Sequence, residues 1–363
     1  MAQHREPGVH LVRTDENVEE IAALGQLLGG PVGIDAVLGD LNRQGRRSHG
    51  WHGRRVGRAL TWDAADRSTR DWWPQGVSTS ADASDTEEIA GRRVLAVTWY
   101  AKQVGGIHQG ARITFWDLAD NHYRHVLLVV PTLRDGRLEL EPLKVHAGGV
   151  VWLGPYLHVA ATSRGFITFR LDDLMRIPDD LGGGELRALG VRGDQVASYG
   201  YRYVLPVRFS YRAVTDDGHA KLRYSFLSLD RGSTPPALVA GEYALRRDQT
   251  HRLARFPVDV GSWLLETGED GRSQPTELDR GVPRMQGASV VDGTWYATVS
   301  NGPFLPGSLA VGRPGRLRRH LLALPVGPED IAFWPSTDSF WSVTEHPFRR
   351  WIVEIPRAGL RER

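Results

Sequence analysis

Short runs of small and apolar residues recur along the chain, and five of them open alike. Four of them have a polar residue, then Gly or Asp close behind, then a small and apolar run, whereas Tyr201–Pro206 lacks the Gly or Asp. The five openings are Gln75–Ser80, His146–Trp152, Tyr201–Pro206, Gln286–Val291 and Glu329–Trp334. Further strand-like runs follow most of them. A loose repeat of strand groups is typical of an all-β fold of the β-propeller type, in which the first strand of each blade lines a central channel.

The spacing of these openings predicts five blades, or six if residues 178–200 or 252–282 contain a degenerate blade. The last blade reaches the end of the chain one strand short. The missing outer strand is predicted to come from Arg58–Asp63, which precedes the first blade. Joining the two ends of the chain in one blade removes an exposed sheet edge, and propellers favour this closure.

Residues 1–54 differ from the propeller domain predicted for residues 55–363. Apolar residues at positions 18, 21, 24, 27 and 28 have the spacing of one amphipathic helix, and Gly29 and Gly30 end it. We interpret this stretch as a helical N-terminal extension that packs on the side of the propeller or plugs one channel mouth. A lid or a partner-docking helix is the alternative.

The polar residues at the strand openings are predicted to converge on the channel. The expected set is Gln75, His146, Tyr201 or Arg202, Gln286 and Glu329. Asp330 follows Glu329 directly, so alternation along a strand points its side chain the other way. We therefore expect Asp330 in a turn between blades. His108 lies in a predicted loop that can reach over a channel mouth.

One imidazole, one carboxylate and two amides can transfer protons, hold a polar ligand or bind a hard cation such as Ca²⁺ or Mg²⁺. In the catalytic hypothesis His146 is the acid or base, because its ordinary pKa lies near neutrality. Glu329 orients it or acts as the second acid or base. Gln75, Gln286, Tyr201, Arg202 and His108 then bind substrate. The alternative is a structural channel whose polar groups bind only ordered water.

The charge and the cysteine content of the chain limit the classes of partner and of metal site to be expected. The 363 residues include 45 basic and 43 acidic ones, a net charge of +2, so no strong field favours nucleic acid or an anionic membrane. Cysteine is absent, which excludes disulfides and thiolate metal sites. The first residues lack an apolar signal region, so we expect a cytoplasmic location. Oligomeric state is not encoded in any recognisable pattern.

The segments Trp73–Ala83, His146–Trp152 and Gly327–Trp334 resemble a group of uncharacterised, secreted-type actinobacterial propeller proteins, over roughly residues 70–355. This resemblance implies the fold and no activity. Polar inner-strand openings also make the chain distantly similar to streptogramin lyase and strictosidine synthase-like propellers. That similarity implies axial His or Glu residues in lyase or condensation chemistry.

The sequence thus favours a small-molecule enzyme with an axial active site, of lyase, isomerase or cyclase type, in specialised metabolism. Such proton-transfer chemistry needs no external cofactor. A glycosidase is disfavoured, because only Glu329 is acidic among the five openings. The alternative is a non-catalytic propeller that binds a protein or a carbohydrate through its rim loops.

Overall fold

The computed structural model of this chain describes residues 8–178, 188–193, 195–246 and 248–360. The protein is mostly β and has a β-propeller arrangement, so the predicted fold class is confirmed at that level. Within the stretch 178–200, where the sequence allows a degenerate blade, residues 179–187 and 194 lie outside the described residues.

The elements are numbered in chain order. The strands are β1 (Val9–Arg13), β2 (Arg43–Gln44), β3 (Arg46–Arg47), β4 (Arg58–Thr61), β5 (Trp72–Thr79), β6 (Val94–Ala101), β7 (Ala111–Asp117), β8 (His122–Arg134), β9 (Arg137–Pro142), β10 (Val150–Leu153), β11 (Tyr156–Ala160), β12 (Gly165–Arg170), β13 (Met175–Arg176), β14 (Leu189–Arg192), β15 (Gln195–Ser198), β16 (Tyr203–Pro206), β17 (Phe209–Thr215), β18 (Phe226–Asp230), β19 (Ala237–Gly241), β20 (Arg252–Asp259), β21 (Leu264–Leu265), β22 (Arg272–Ser273), β23 (Glu277–Arg280), β24 (Met285–Val291), β25 (Thr294–Val299), β26 (Ser308–Gly312), β27 (Arg318–His320), β28 (Pro328–Trp334), β29 (Ser339–Thr344) and β30 (Trp351–Pro356). The helices are α1 (Val18–Leu28), α2 (Gly33–Leu38), α3 (Ala64–Ser68) and α4 (Ser80–Ala83), with 3₁₀ turns at Leu171–Asp173 and Pro335–Thr337.

Five sheets of four or more strands form among the described residues. From the inner edge outward, the strands of the first sheet run β5-β6-β7-β8-β16-β13. The strands of the other four run β10-β11-β12-β17-β1-β22, β18-β19-β20-β21, β24-β25-β26-β27 and β28-β29-β30-β4-β3. The strands β5, β10, β18, β24 and β28, here called the inner strands, contact one another in a closed ring in that order. The predicted number of blades, five or six, is not confirmed.

The predicted closure between the two ends of the chain is present. Strand β4 pairs antiparallel with β30, with Leu60 opposite Ile352 and Ala59 opposite Val353. Residues from the start of the propeller therefore complete the sheet that its end begins. This pairing covers the edge that β30 would otherwise expose.

The N-terminal helix is present where the apolar spacing predicts it. Ile21, Leu24 and Leu28 are buried, and Gly29 ends α1 with a φ of 85° while its N–H bonds the Gly25 carbonyl. Helix α1 contacts β8, β9 and β13, so it packs on the side of the propeller. Strand β1, before it, pairs with β17 and β22 and joins the second sheet.

Glycines allow the inner strands to approach one another directly. A Cβ atom at Gly148 would lie 2.0 Å from the Ser225 carbonyl oxygen, and one at Gly149 would lie 2.1 Å from the Leu227 nitrogen. A Cβ atom at Gly287 would lie 2.6 Å from the Asp330 Cα. Side chains other than hydrogen do not fit there, so backbone packs on backbone around the axis.

Candidate functional site

Three inner strands carry a β-bulge at corresponding places. The register shifts between Pro74 and Val77 in β5, between Met285 and Gly287 in β24, and between Pro328 and Ile331 in β28. The residues inside these bulges include Gln75, Gln286 and Glu329. A bulge changes the direction of a side chain relative to the pleat, and bulges are common beside active sites. Three of the predicted site residues are thus aimed by the same local device.

The bulges bring these side chains together with a second carboxylate. The Gln286 side-chain amide donates to Glu329 Oε1 at 3.1 Å. The Gln75 amide donates to Glu345 Oε2 at 3.3 Å. Glu345 follows β29, the strand next to β28, so it enters the axis from the loop rather than from an inner strand. Each carboxylate therefore has its own amide partner.

Burial and mutual repulsion raise the pKa values of both carboxyls. Glu329 is buried, and desolvation followed by the charges of Glu345 and Asp330 raises its pKa well above the usual value. Desolvation also raises the pKa of Glu345, which the Gln75 amide, Lys102 and Arg350 partly oppose. Two close carboxyls cannot both ionise easily. Of the two carboxyls, Glu329 has the more strongly raised pKa.

His146 lies on the other side of a tyrosine ring. The imidazole and the Tyr100 ring are 4.4 Å apart at their centroids and tilted by 35°. Although part of the His146 side chain is exposed, the ring is enclosed by enough protein that lost hydration lowers its pKa. Burial and the charges of Glu345 and Glu329 raise the pKa of Tyr100, so it stays a phenol. Tyr100 therefore adjoins both His146 and the carboxyls.

Two cations border the carboxyls. The Lys102 Nζ lies 3.4 Å from the centroid of the Trp73 ring, and desolvation lowers its pKa. Arg350 is fully buried; its Nε donates to the Glu345 carbonyl at 2.7 Å and one terminal nitrogen donates to the Asp66 carbonyl at 2.8 Å. Desolvation and Arg112 lower the pKa of Arg350 to about 10, so it stays charged at neutral pH. We call Gln75, Tyr100, Lys102, His146, Gln286, Glu329, Glu345 and Arg350 the axial site.

The prediction that Tyr201 or Arg202 reaches the axis is wrong. The strand after them, β16, pairs in parallel with β8 and antiparallel with β13, at the outer part of the first sheet. Tyr201 receives a hydrogen bond from Arg112 at 3.2 Å, and Arg202 lies 3.2 Å from Asp40. The third inner strand is instead β18 (Phe226–Asp230), which none of the five predicted openings includes.

The expectation for Asp330 is also wrong. Asp330 is fully buried, and its Oδ2 accepts hydrogen bonds from the N–H groups of Val77 at 3.3 Å and Val150 at 3.4 Å. Its side chain thus joins three inner strands instead of lying in a turn between blades. The bulge in β28 explains this, because alternation fails where the register shifts.

Sequence reasoning missed Tyr100, Lys102, Glu345 and Arg350. Tyr100 and Lys102 lie at the end of β6, and Glu345 and Arg350 lie between β29 and β30, where no repeated opening marks them. Glu345 had one usable signal: it stands directly after the apolar strand Ser339–Thr344, beside the aromatic and basic residues that follow. A search of strand ends, as well as strand openings, would have included it.

His108 lies in the loop between β6 and β7, and its side chain bonds to the backbone of the same loop. Its Nδ1 accepts a hydrogen bond from the Gly110 N–H at 3.0 Å. Other residues of the loop, with Lys102, line a cavity of about 340 Å³. The role predicted for His108 in substrate binding stays a prediction, as do the roles of His146 and Glu329 in catalysis.

Over the described residues, no group of three or more His, Asp or Glu side chains is arranged to hold a metal ion. The Ca²⁺ or Mg²⁺ ion considered from the sequence therefore has no ready-made set of ligands of that kind there. No helix in the described part of the chain is long and apolar enough to cross a membrane.

No family model matches the chain, and no curated protein matches it. Similar solved structures include a gluconolactonase from Xanthomonas campestris, with 13% identity and a TM-score of 0.35, over 87% of this chain and 86% of that one. A glucose dehydrogenase has 12% identity and a TM-score of 0.38, over 87% and 92%. A GH43 β-xylosidase/α-arabinofuranosidase from a compost metagenome has 10% identity and a TM-score of 0.36, over 83% and 93%.

These neighbours are β-propeller enzymes. Likeness at this level of identity and overlap says nothing about the activity of this chain. The resemblance to actinobacterial propellers and to streptogramin lyase has no family match behind it. The lyase, isomerase or cyclase class stays a prediction.

Proposed function

We propose that this protein is an enzyme that moves protons on a small polar organic molecule bound at the axial site. The observation that carries this proposal is the set of three bulges that aim Gln75, Gln286 and Glu329 at one end of the axis. Folding stability gains little from placing two carboxyls of raised pKa beside each other. Perturbed groups of this kind cluster at functional sites.

The site supplies an acid and a base in their reactive forms. Glu329, held neutral by burial and by Glu345, donates a proton to the substrate. His146, whose lowered pKa keeps it neutral near pH 7, accepts one. Environments that set the protonation states of two groups in this way assign their roles as acid and base. These proton transfers complete an isomerisation by themselves, and in a lyase or a cyclase they accompany the breaking or the closing of a second bond in the substrate.

The other residues of the site orient the substrate. The amides of Gln75 and Gln286 hold the two carboxyls and offer further donors and acceptors to hydroxyl or carbonyl groups. Lys102 and Arg350 add positive charge beside Glu345. A substrate with a carbonyl or carboxylate next to the reacting carbon suits this arrangement, because the cations stabilise the negative charge that develops when a proton leaves.

A second candidate function is favoured by a different observation. Loops at the same end of the propeller expose bulky apolar side chains, with Leu245 59%, Phe304 83% and Phe348 57% exposed. Exposed apolar patches mark binding surfaces. In this alternative the chain is a non-catalytic propeller whose rim loops bind a protein or a carbohydrate.

The experiment that separates the two candidates measures proton exchange. Pools of hydroxy acids, keto acids, lactones and sugars are incubated with the protein in D₂O, and deuterium incorporation is followed by NMR. On any active compound, Glu329→Gln and His146→Gln should each lower the rate by about 10²- to 10⁴-fold. Asp82→Asn is the matched control, because Asp82 is also a buried carboxyl of raised pKa but lies outside the axial site. Full activity in Glu329→Gln would refute the acid role.

We also infer that all five sheets act as blades around this site. The closed ring of contacts among the five inner strands supports this. So does the register of the second sheet, in which β12 pairs with β17 and places a fourth strand outside β10, β11 and β12. An experimental electron-density map that shows only four sheets around the axis would contradict the inference.

A further inference from the structure

Bulky apolar side chains protrude from three loops at one end of the propeller. Leu245, Phe304 and Phe348 are 59%, 83% and 57% exposed. Each lies in the loop that follows the second strand of its sheet, after β19, β25 and β29. Lys102 follows β6, the second strand of the first sheet. Because antiparallel strands reverse direction one after another, all these loops lie at the same end as Lys102.

Hydrogen bonds join the three loops into one surface. The Ser300 N–H donates to the Arg284 carbonyl at 3.1 Å, and the Arg284 N–H donates to the Ala244 carbonyl at 3.0 Å. The Arg349 Nη2 donates to the Pro303 carbonyl at 3.0 Å. The loops are therefore continuous from one sheet to the next. We call their protruding apolar side chains the apolar rim: Leu245, Phe304, Leu305 and Phe348.

Arginines border the apolar rim. In the part of the chain that the structure describes, no carboxylate pairs with Arg284, Arg319 or Arg349. The side chains of Arg319 and Arg349 donate instead to the backbone carbonyls of Pro283 and Pro303, at 2.7 and 3.0 Å. Burial, followed by the charge of Arg284, lowers the pKa of Arg319, so these two cations lie close enough to repel each other.

The acidic residues of the same loops do not cancel this charge. Glu242 and Asp248 each pair with another arginine of the third sheet or its loop, at 2.9 Å. Glu345 turns into the axial site, where its side chain accepts a hydrogen bond from Gln75 at 3.3 Å. Residues 281–284, 300–307 and 321–327 include no Asp or Glu. The net charge of +2, from which the sequence predicts no membrane partner, averages over the chain and does not show this local excess.

We propose that the apolar rim docks this protein on an anionic phospholipid surface. Phe304, Leu305 and Phe348 insert between the lipid headgroups, and the bordering arginines bind the lipid phosphates. Protruding side chains on separate loops suit a fluid surface, because lipid closes around each of them. The planar guanidinium matches phosphate oxygens, and each basic residue near an anionic leaflet adds to the attraction. This docking requires no chemistry at the axial site, so either proposal can fail without the other.

The test is sedimentation of the full chain with lipid vesicles. One set of vesicles contains phosphatidylcholine alone, and the other also contains about a third phosphatidylserine. We expect the protein to sediment with the anionic vesicles, and the bound fraction to fall as salt screens the arginines. No binding to the anionic vesicles at low salt would overturn the proposal.

One pair of variants tests the apolar contribution. Phe304→Ser should weaken partitioning onto anionic vesicles about tenfold, because one aromatic side chain is no longer buried in lipid. Val260→Ser is the matched control. Val260 is 58% exposed but follows β20, the third strand of its sheet, and therefore lies at the opposite end. Val260→Ser should bind as the wild type does; the same binding by Phe304→Ser would refute insertion of the rim.

A second pair of variants tests the charge. Arg284→Gln should weaken binding to the anionic vesicles about fivefold. Arg313→Gln changes the net charge equally but lies between β26 and β27, at the opposite end, and should have no effect. Equal losses in the two variants would show attraction by net charge alone and would contradict docking through the rim. Analytical ultracentrifugation covers the remaining case: a wild type that self-associates through Phe304 and ignores vesicles would overturn the lipid proposal.

Discussion

Replacing Gly149 by alanine tests the close packing of the inner strands. The new Cβ atom would lie 2.1 Å from the Leu227 nitrogen, where ordinary contacts begin near 3.4 Å, so the two strands must separate by about 1.3 Å. The nearest atoms are all backbone, and no side-chain rotamer can relieve the clash. Overpacking of a core typically costs about 1–3 kcal/mol, and we expect the upper end, about 3 kcal/mol.

The assay is urea unfolding followed by the fluorescence of the twelve tryptophans. Gly232→Ala is the matched control, because its Cβ atom would meet nothing closer than an Asp230 carboxylate oxygen at 3.5 Å and its φ lies outside the left-handed region. That variant should be neutral or gain about 0.4–1 kcal/mol from a stiffer unfolded chain. If Gly149→Ala and Gly232→Ala unfold at the same free energy, the reasoning about the packed axis fails.

Three further predictions concern pH and charge. Burial raises the pKa of Asp82 to about 6, so the folded state binds that proton more tightly than the unfolded chain does, and stability falls by about 3 kcal/mol as pH rises from about 4 to about 6. Asp82→Asn should flatten this slope in urea titrations across that range; an unchanged slope would contradict the assignment. In Arg350→Lys, the ammonium lacks the planar guanidinium that donates to the backbone carbonyls of both Glu345 and Asp66. We expect this variant to lose about 2 kcal/mol of stability in thermal unfolding. Wild-type stability would show that one of the two hydrogen bonds suffices. On any substrate found, the rate should fall below a pKa lower than 6.5, as His146 gains a proton, and again at high pH as Glu329 loses one; a rate that rises steadily with pH would exclude the neutral acid.

The repeated strand openings predicted much of the axial site because inner strands share a local environment. Gln75, Gln286 and Glu329 lie where the pattern places them. Tyr201 was misplaced because Tyr203–Pro206 has the composition of an inner strand, and composition does not reveal which strand it pairs with. Its partner, β8, lies about eighty residues earlier in the chain.

Alternation along a strand predicts side-chain direction only while the register holds. The bulge in β28 breaks it at Glu329 and Asp330, so two consecutive carboxyls both face the interior. Glu345 and Arg350 come from a loop that reaches the axis only after β29 and β30 have paired, so their place depends on tertiary structure.

The close contacts of Gly148 and Gly149 with neighbouring backbone affect how a solute can pass along the propeller axis. Where Gly148 and Gly149 lie against the neighbouring strand and Asp330 ties three strands together, little room is left for a solute to pass. We therefore expect a bound molecule to enter and leave the axial site at the end of the propeller where Lys102 lies. Release by that single route can then govern the rate of turnover as much as the proton transfers do.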